Sequence, residues 1–401
     1  MIRHAALTDE GKRRDHNEDA FLALPDHGVF IVADGVGGRA CGEVASALTI
    51  ETFTEAAPRL NAALQAYAER PGRRTRNHVL EVLDETCQMA SRRVYEAAEI
   101  DSRRGMTTTV VGAVVGAGSI FLGHVGDSRA YLLREGELLQ LTDDHSMVNE
   151  LVRTGQMSYE EARRSRYRNV ITRAIGLQPT VQPDVAAVEV LPGDRLVLCS
   201  DGLSDPVPGG DLARLLGRGS PAAAAENLLQ EALDNGGPDN ITIVVVDPDA
   251  SPQAEAAAAR AEVMSQLFLF EDLPFHARAR VGRMVSEVFV SPNDIVIDQG
   301  SEGKTLYVVV QGELVVSRDG VELSRLGPGD HFGDLALVDA QPRSATVTAT
   351  GFGSLITIDR SALDEFCRRE PELGNRVLWK LLGTISQRLR NTSSRLAALK
   401  R

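Results

Sequence analysis

Four aspartates of this chain stand where an apolar run meets a glycine or an asparagine. They occur in Val32-Ala33-Asp34-Gly35, Val125-Gly126-Asp127-Ser128, Cys199-Ser200-Asp201-Gly202 and Gly237-Pro238-Asp239-Asn240. A single Asp-Gly or Asp-Asn pair is typical of a turn. Several carboxylates at strand ends come together only when a cation offsets their repulsion, and hard divalent cations prefer oxygen ligands. The set therefore predicts a centre for Mg²⁺ or Mn²⁺.

The segment Arg14-Asp15-His16-Asn17-Glu18-Asp19 adds an arginine near two further carboxylates. Such an arginine can form a surface ion pair, which stabilises a protein by at most about 1 kcal/mol. Alternatively, its planar guanidinium can hold a phosphate with two parallel hydrogen bonds. The residues alone leave both interpretations open.

The chain that carries these residues mixes short β-branched runs with longer helical patterns. Strands are predicted at 29–33, 107–115, 120–125, 195–199 and 241–246, and helices at 43–56 and 77–99. The uncharged stretch 105–126 is long enough to raise a transmembrane interpretation, but its glycines and its Gly116-Ala117-Gly118-Ser119 turn favour strands. From 285 onward, short strands alternate with glycines, and helices follow at 361–369 and from Pro371.

The length of 401 residues predicts two or three domains. The composition turns rich in proline and alanine after Val246, which is typical of a hinge. We predict a first domain at 1–247, a linker at 248–265 and a second domain at 266–401. The fold class is predicted to be α+β.

The charge balance argues against two classes of partner. Lysine and arginine total 43 against 56 aspartates and glutamates, a net charge of −13. Most of the surface would repel nucleic acid and anionic membranes, so neither is expected as a partner. The four cysteines are scattered, which fits neither a disulfide framework nor a thiolate metal site. We expect a cytoplasmic protein.

Taken together, the motifs resemble the bacterial form of the metal-dependent protein serine/threonine phosphatases of type 2C. They follow the family's order: Arg14 to Asp19, Asp34-Gly35-Val36-Gly37-Gly38, Gly105-Met106-Thr107-Thr108-Thr109, Gly126-Asp127-Ser128-Arg129, Ser200-Asp201-Gly202 and Asp239-Asn240. The resemblance implies a four-layer α-β-β-α sandwich with a dinuclear metal centre between two antiparallel sheets. It also implies phosphorylated proteins as substrates and hydrolysis by a hydroxide that bridges the metals.

The resemblance also implies a role for each residue. Asp34 would bridge the two metals, the Gly35 carbonyl would bind one of them, and Asp201 and Asp239 would complete the ligands. Glu18 and Asp19 would act mainly through metal-bound water, and Asp127 would bind a third, weaker metal. Arg14 would hold the substrate phosphate.

Two departures leave an alternative open. Val36 stands where animal members carry a histidine that is proposed to protonate the leaving group, and Thr107 stands where the family usually has glycine. The alternative is a pseudophosphatase, or phosphoprotein-binding sensor, whose C-terminal domain serves for docking or dimerisation.

The second domain resembles cyclic-nucleotide-binding domains, a β-roll with C-terminal helices. The resemblance rests on Phe332-Gly333-Asp334-Leu335-Ala336-Leu337 and Pro342-Arg343-Ser344-Ala345-Thr346-Val347, with further matches from Ile297 to Asp330. It implies that Arg343 pairs with the cyclic phosphate, supported by Ser344 and the amides of Gly333, Asp334, Leu335 and Ala336.

Asp334 stands where that family has a glutamate for the ribose, and the shorter side chain predicts weakened binding. Ser344 after Arg343 favours cAMP over cGMP by resemblance to bacterial cAMP regulators. The sequence thus predicts a phosphatase that is regulated by a cyclic nucleotide at its C-terminal domain.

Overall fold

The computed structural model describes residues 2–36, 41–158, 161, 165–167, 170–249, 252, 254–255, 285–335, 341–369 and 371–399. The chain divides into two compact units, Met1–Ala257 and Ala258–Arg401. The division falls inside the predicted linker 248–265, most of which lies outside the described residues. The linker and the domain bounds therefore stay predictions.

Two five-stranded antiparallel sheets form the centre of the first unit. The strands are, in chain order, β1 (Arg3–Asp9), β2 (Ala20–Leu24), β3 (Val29–Ala33), β4 (Gly35–Val36), β5 (Thr107–Thr108), β6 (Val110–Gly116), β7 (Ser119–Val125), β8 (Arg129–Arg134), β9 (Glu137–Gln140), β10 (Asp184–Glu189), β11 (Arg195–Cys199) and β12 (Ile241–Asp247). Sheet I has the order β1-β12-β11-β8-β9, and sheet II has the order β10-β7-β6-β3-β2. Strands β4 and β5 form a separate short ladder.

The helices described in the first unit are α1 (Gly42–Glu69), α2 (Arg73–Ala97), α3 (Met147–Arg153), α4 (Asp201–Ser204), α5 (Gly209–Leu216) and α6 (Pro221–Asp234). Helix α6 was not predicted; it begins after Ser220, whose hydroxyl accepts a hydrogen bond from the amide of Ala223, and Pro221 occupies its first turn. Helix α1 runs 13 residues beyond the predicted end at 56, through Pro58 to Glu69.

Strand alternation explains the layers. In β3, Val29 and Ile31 pack against α1 and α2, whereas Phe30 and Val32 point to the core between the sheets. Sheet I contributes Leu198 and Val246 to that inner core, among others, and turns its other face to α5 and α6. The four layers of the α-β-β-α sandwich are confirmed.

The second unit is a roll of two four-stranded antiparallel sheets. Its strands are β13 (Val285–Val290), β14 (Ile295–Ile297), β15 (Thr305–Gln311), β16 (Leu314–Arg318), β17 (Val321–Leu326), β18 (His331–Phe332), β19 (Thr346–Ala349) and β20 (Gly353–Asp359). They pair as β13-β20-β15-β18 and β14-β19-β16-β17. Helices α7 (Arg360–Arg369) and α8 (Pro371–Leu399) follow, and Val377 and Leu381 of α8 pack on the roll. The predicted roll with C-terminal helices is confirmed.

The uncharged stretch 105–126 forms strands, as predicted, rather than a helix. Within the described ranges, no helix combines the length and the apolar character needed to cross a membrane.

Candidate metal centre

The predicted acidic residues lie next to strand ends in both sheets. Asp34 follows β3, and Asp127 comes two residues after β7, both in sheet II. In sheet I, Asp201 follows β11 by two residues, and Asp239 precedes β12 by two. The charges of Asp19, Asp201, Asp127 and Asp239 all raise the pKa of Asp34, which is expected only of carboxylates that lie near one another.

Burial and repulsion raise the pKa values of these carboxyl groups. The pKa of Asp34 lies well above its usual range, first because it is buried and then because Asp19 and Asp201 repel its charge. Burial likewise raises the pKa of Asp201 well above normal, the pKa of Asp19 to about 7 and that of Asp127 to about 6. Such a cluster ionises fully at neutral pH only beside a compensating positive charge.

Asp19 shows how the centre fits a cation. Its Oδ2 accepts a 2.7 Å hydrogen bond from the hydroxyl of Ser200, whereas its buried Oδ1 has no hydrogen-bond partner among the described residues. A buried carboxylate oxygen without a partner is costly, unless an ion takes the place of the missing donor. The carboxylate donor set suits Mg²⁺ or Mn²⁺, which prefer oxygen ligands.

The main chain of Asp34 is held by two threonines of the β5–β6 region. Thr108 Oγ1 and the Thr109 amide both donate to the Asp34 carbonyl, at 2.8 and 2.9 Å, and the Asp34 amide donates to Thr109 Oγ1 at 3.1 Å. The Thr109 hydroxyl also lies 2.6 Å from that of Ser128, which follows Asp127. The threonine motif therefore connects two of the acidic loops.

Gly35 lies in close contact with two other segments. A Cβ at this position would come within 2.3 Å of the Gly42 carbonyl oxygen and 2.5 Å of the Glu18 carbonyl oxygen. The Gly35 amide donates to that Glu18 carbonyl at 3.2 Å. Glycine is needed here because a side chain would push Asp34 away from Glu18.

Arg14 reaches the centre from the exposed side. Its Nη2 donates a 2.7 Å hydrogen bond to Asp239 Oδ2, which raises the pKa of the guanidinium. Glu18 and Asp201 add to this attraction. The arginine, half exposed, therefore stands at the open edge of the acidic cluster, where an incoming anion would meet it.

Two residues of the site were not predicted in these roles. Ser200, which the motif places beside Asp201, occupies the N-cap position of α4, and its hydroxyl donates a hydrogen bond to Asp19. The side chain of Asn240 accepts from the Glu18 amide at 2.9 Å and donates to the carbonyls of Glu10 and His16, each at 3.0 Å. Both residues are adjacent in sequence to a predicted metal ligand, Asp201 or Asp239. That position shows that they belong to the motifs, but it does not show that they bind Asp19 and Glu18.

In the second unit, Arg343 is buried against the main chain of the roll. Its Nη2 donates to the Thr305 carbonyl at 2.9 Å, and its Nη1 lies 3.4 Å from the Gly333 carbonyl. Gly333 has φ +77°, and a Cβ there would come within 2.6 Å of Arg343 Nη1. Asp334 is also buried, while Leu335 and Ser344 are exposed.

The structure thus brings Arg343 and Gly333, two residues of the predicted nucleotide site, next to each other. Ala336 lies outside the described residues.

Each of the two units is similar to a different family of known proteins. Residues 10–272 match the family described as protein phosphatase 2C, which is well over half of the chain. The chain belongs to the protein phosphatase 2C family. Residues 287–370 match the family described as cyclic nucleotide-binding domain.

Relatives in this phosphatase family include named enzymes. The serine/threonine phosphatase stp of Listeria monocytogenes is 35% identical over 257 residues, covering 63% of this chain and 98% of that protein. The serine/threonine protein phosphatase PstP of Mycobacterium tuberculosis is 37% identical over 248 residues, which is 62% of this chain and 45% of PstP.

A crystal structure of the PstP catalytic domain in complex with two manganese ions matches 61% of this chain and 97% of that one, with a TM-score of 0.52 and 37% identity. This protein phosphatase 2C is therefore a serine/threonine protein phosphatase with a C-terminal cyclic nucleotide-binding domain, and metal dependence is supported.

The two residues that depart from the family pattern, Val36 and Thr107, lie in the short β4–β5 ladder of the phosphatase. Val36 of β4 pairs with Thr107 of β5, and the Thr107 hydroxyl donates to the Val36 carbonyl at 3.3 Å. The Val36 side chain is exposed. Neither residue disturbs Asp34, because the adjacent Thr108 and Thr109 retain their bonds to it.

Proposed function

We propose that the acidic cluster holds two divalent cations, Mn²⁺ or Mg²⁺, and hydrolyses phosphoserine and phosphothreonine in proteins. Asp34 and the Gly35 carbonyl would bind the ions together with Asp201 and Asp239, and Glu18 and Asp19 would support them through water. Asp127 would hold a third, weaker ion. The observation that carries this proposal is the buried Asp19 oxygen without a partner, beside aspartates whose pKa values burial has raised.

The ions would supply an ionised water as nucleophile and positive charge for the phosphoryl oxygens. The chain's own contribution is positioning. Arg14 would turn from Asp239 to the phosphate, since its guanidinium is suited to two parallel hydrogen bonds. Val36 carries no proton, so the leaving alkoxide takes its proton from water or from another group.

The test is Mn²⁺-dependent release of phosphate from a phosphothreonine peptide. Asp34→Asn and Asp239→Asn each remove an anionic ligand while keeping the volume, so we expect turnover below about a tenth of the wild-type rate. Asp26→Asn, in the exposed turn before β3, is the matched control and should keep full activity.

A folded wild-type protein that binds the phosphopeptide without releasing phosphate would overturn this proposal. That outcome would favour the pseudophosphatase.

A second candidate function, binding of a cyclic nucleotide, is favoured by the surroundings of Arg343. Burial lowers the pKa of this guanidinium, and none of the described residues gives it a carboxylate partner. A cyclic phosphate would provide the missing negative charge. We propose that cAMP, rather than cGMP, binds there and changes the phosphatase rate.

A further inference from the structure

Three side chains beside the acidic cluster bring one nitrogen and two carboxylates together. His16 and Glu18 precede β2, and Glu43 lies in the first turn of α1. Their ligand atoms all lie within 4.8 Å of one another. None of the roles given to the phosphatase centre uses His16 or Glu43.

The spacing of these atoms fits direct coordination. His16 Nε2 lies 3.3 Å from Glu18 Oε1. Zn²⁺ binds nitrogen and oxygen at about 2.0 to 2.2 Å, and a tetrahedral ion with such bonds keeps its ligand atoms about 3.3 to 3.5 Å apart. These two atoms form a hydrogen bond in the structure, and their separation is also the one that two ligands of a single ion would have.

The main chain holds the three residues in place. The Asn240 side chain binds both the His16 carbonyl and the Glu18 amide. Ser46, on the same helix as Glu43, donates to the Glu18 carbonyl at 2.6 Å. Gly42 gives the Glu18 carboxylate room, since a Cβ there would lie 3.0 Å from Glu18 Cδ. Little ordering of the main chain would be needed on binding.

We propose that His16, Glu18 and Glu43 form a site for a first-row transition metal such as Zn²⁺, which shares Glu18 with the aspartate centre. A mixed imidazole and carboxylate set favours Zn²⁺ over Mg²⁺, which takes oxygen ligands and keeps its waters. The site is open to solvent, because His16 and Glu43 are exposed while Glu18 is nine-tenths buried.

Occupation of the site would inhibit the phosphatase. Glu18 cannot support the aspartate centre and bind the second metal in the same orientation, so Zn²⁺ would withdraw it. This inhibition rests on the proposed function, whereas the binding does not.

Zn²⁺ binding is best measured in an Asp34→Asn/Asp239→Asn background, which disables the aspartate centre. The readout is competition with a chromogenic chelator in millimolar Mg²⁺. We expect one equivalent of Zn²⁺, and His16→Ala or Glu43→Gln should weaken it by on the order of tenfold or more, since each removes a ligand. His78→Ala is the matched control, because His78 also lies near a glutamate, at 3.7 Å from Glu81, but on an exposed helix face.

Unchanged Zn²⁺ stoichiometry and affinity in both His16→Ala and Glu43→Gln would overturn the site. In the otherwise wild-type enzyme with Mg²⁺, the same two variants should require at least about tenfold more Zn²⁺ for half inhibition. Equal inhibition of His16→Ala and wild type would overturn the inhibitory role. If no phosphatase activity exists at all, Zn²⁺ binding that is lost in His16→Ala would still support the site.

Discussion

The hydroxyl of Ser200 donates a 2.7 Å hydrogen bond to Oδ2 of Asp19 and accepts a 3.0 Å hydrogen bond from the amide of Thr242. These two bonds fix the carboxylate so that its Oδ1, buried and without a partner among the described residues, is the oxygen left for a cation or its water. Ser200 lies at the start of α4. It thus orients the carboxylate of Asp19, which precedes strand β2 of the other sheet.

Ser200→Ala should raise the Mn²⁺ concentration for half-maximal activity by about tenfold, since partners of metal ligands typically contribute 10 to 100-fold in affinity. Ser200→Thr retains a hydroxyl and should restore most of the loss. The measurement is activity against Mn²⁺ concentration, together with thermal unfolding. A loss of activity that saturating Mn²⁺ does not relieve would argue for a packing defect instead.

Arg14→Ala should chiefly raise KM for a phosphopeptide, because a phosphate contact is already made in the ground state. The 2.7 Å bond to Asp239 places the guanidinium at the edge of the cluster, so its removal leaves the acidic residues in place. Steady-state kinetics at saturating Mn²⁺ provide the measurement, with the neighbouring exposed Arg13→Ala as control. An unchanged KM with a lost kcat would assign Arg14 to the transition state alone.

The metal-free protein should lose thermal stability as the pH rises from 6.5 through about 7, the folded-state pKa of Asp19. Asp34 and Asp201 have folded-state pKa values well above the usual range, and Asp19 has a pKa of about 7, all through burial. The unfolded chain releases these protons at lower pH, so a rise in pH favours unfolding until each folded group has ionised.

His124 opposes this trend only at lower pH. Burial lowers its pKa to about 3, so its contribution to stability rises with pH up to about 6.5, the ordinary pKa of histidine, and is then constant. Melting curves in EDTA and in Mn²⁺ at pH 6.5, 7.2 and 8 test the prediction. We expect Mn²⁺ to raise the melting temperature most at pH 8, and a flat EDTA series would contradict the raised pKa values.

The sequence predicted those strands and helices whose own residues have the apolar pattern of the element. The short apolar runs at 29–33 and 195–199 form strands with the predicted bounds. The edge strand β9 was missed, because Glu137–Gln140 has no β-branched residue and is defined by its pairing with β8. Helix α1 continues past Pro58 because Leu60 and Leu64 are buried against sheet II, and this packing outweighs the lost hydrogen bond.

In the candidate site, too, local features were predictable from the sequence and long-range contacts were not. The strand-end aspartates were predictable, because each motif contains both the apolar strand and the acidic residue. The contacts of Ser200 with Asp19, and of Asn240 with Glu18, join segments about 180 and 220 residues apart. The packing of sheet I on sheet II brings these segments together, so no local pattern could reveal the contacts.

Arg343 illustrates how the structure refines a sequence argument. A buried guanidinium was expected to need a ligand, and the structure gives it two main-chain carbonyls, of Thr305 and Gly333. Carbonyls satisfy its hydrogen bonds but carry no formal charge. The argument for an anion therefore rests on the missing negative charge rather than on missing hydrogen bonds.

Arg343→Ala should weaken cAMP binding to the full-length protein by about 10 to 150-fold, the cost of losing a charged hydrogen bond of roughly 1.5 to 3 kcal/mol. Calorimetry with cAMP and cGMP provides the measurement. Arg325→Ala is the matched control, because Arg325 is an exposed arginine of the same roll that pairs with Glu322 and Glu313. Absence of heat with either nucleotide at millimolar concentration would contradict nucleotide binding and favour a docking role for the roll.

The same variant separates sensing from catalysis. If the nucleotide favours one state of the phosphatase, its effect on phosphopeptide hydrolysis must disappear in Arg343→Ala while hydrolysis without nucleotide stays at the wild-type rate. The coupling between two binding events is reciprocal. At saturating Mn²⁺, an unreactive phosphopeptide analogue should therefore change the affinity for cAMP by a certain factor, and cAMP should change the affinity for the analogue by the same factor. Nucleotide binding without any such change would show that the roll binds its ligand independently of the phosphatase.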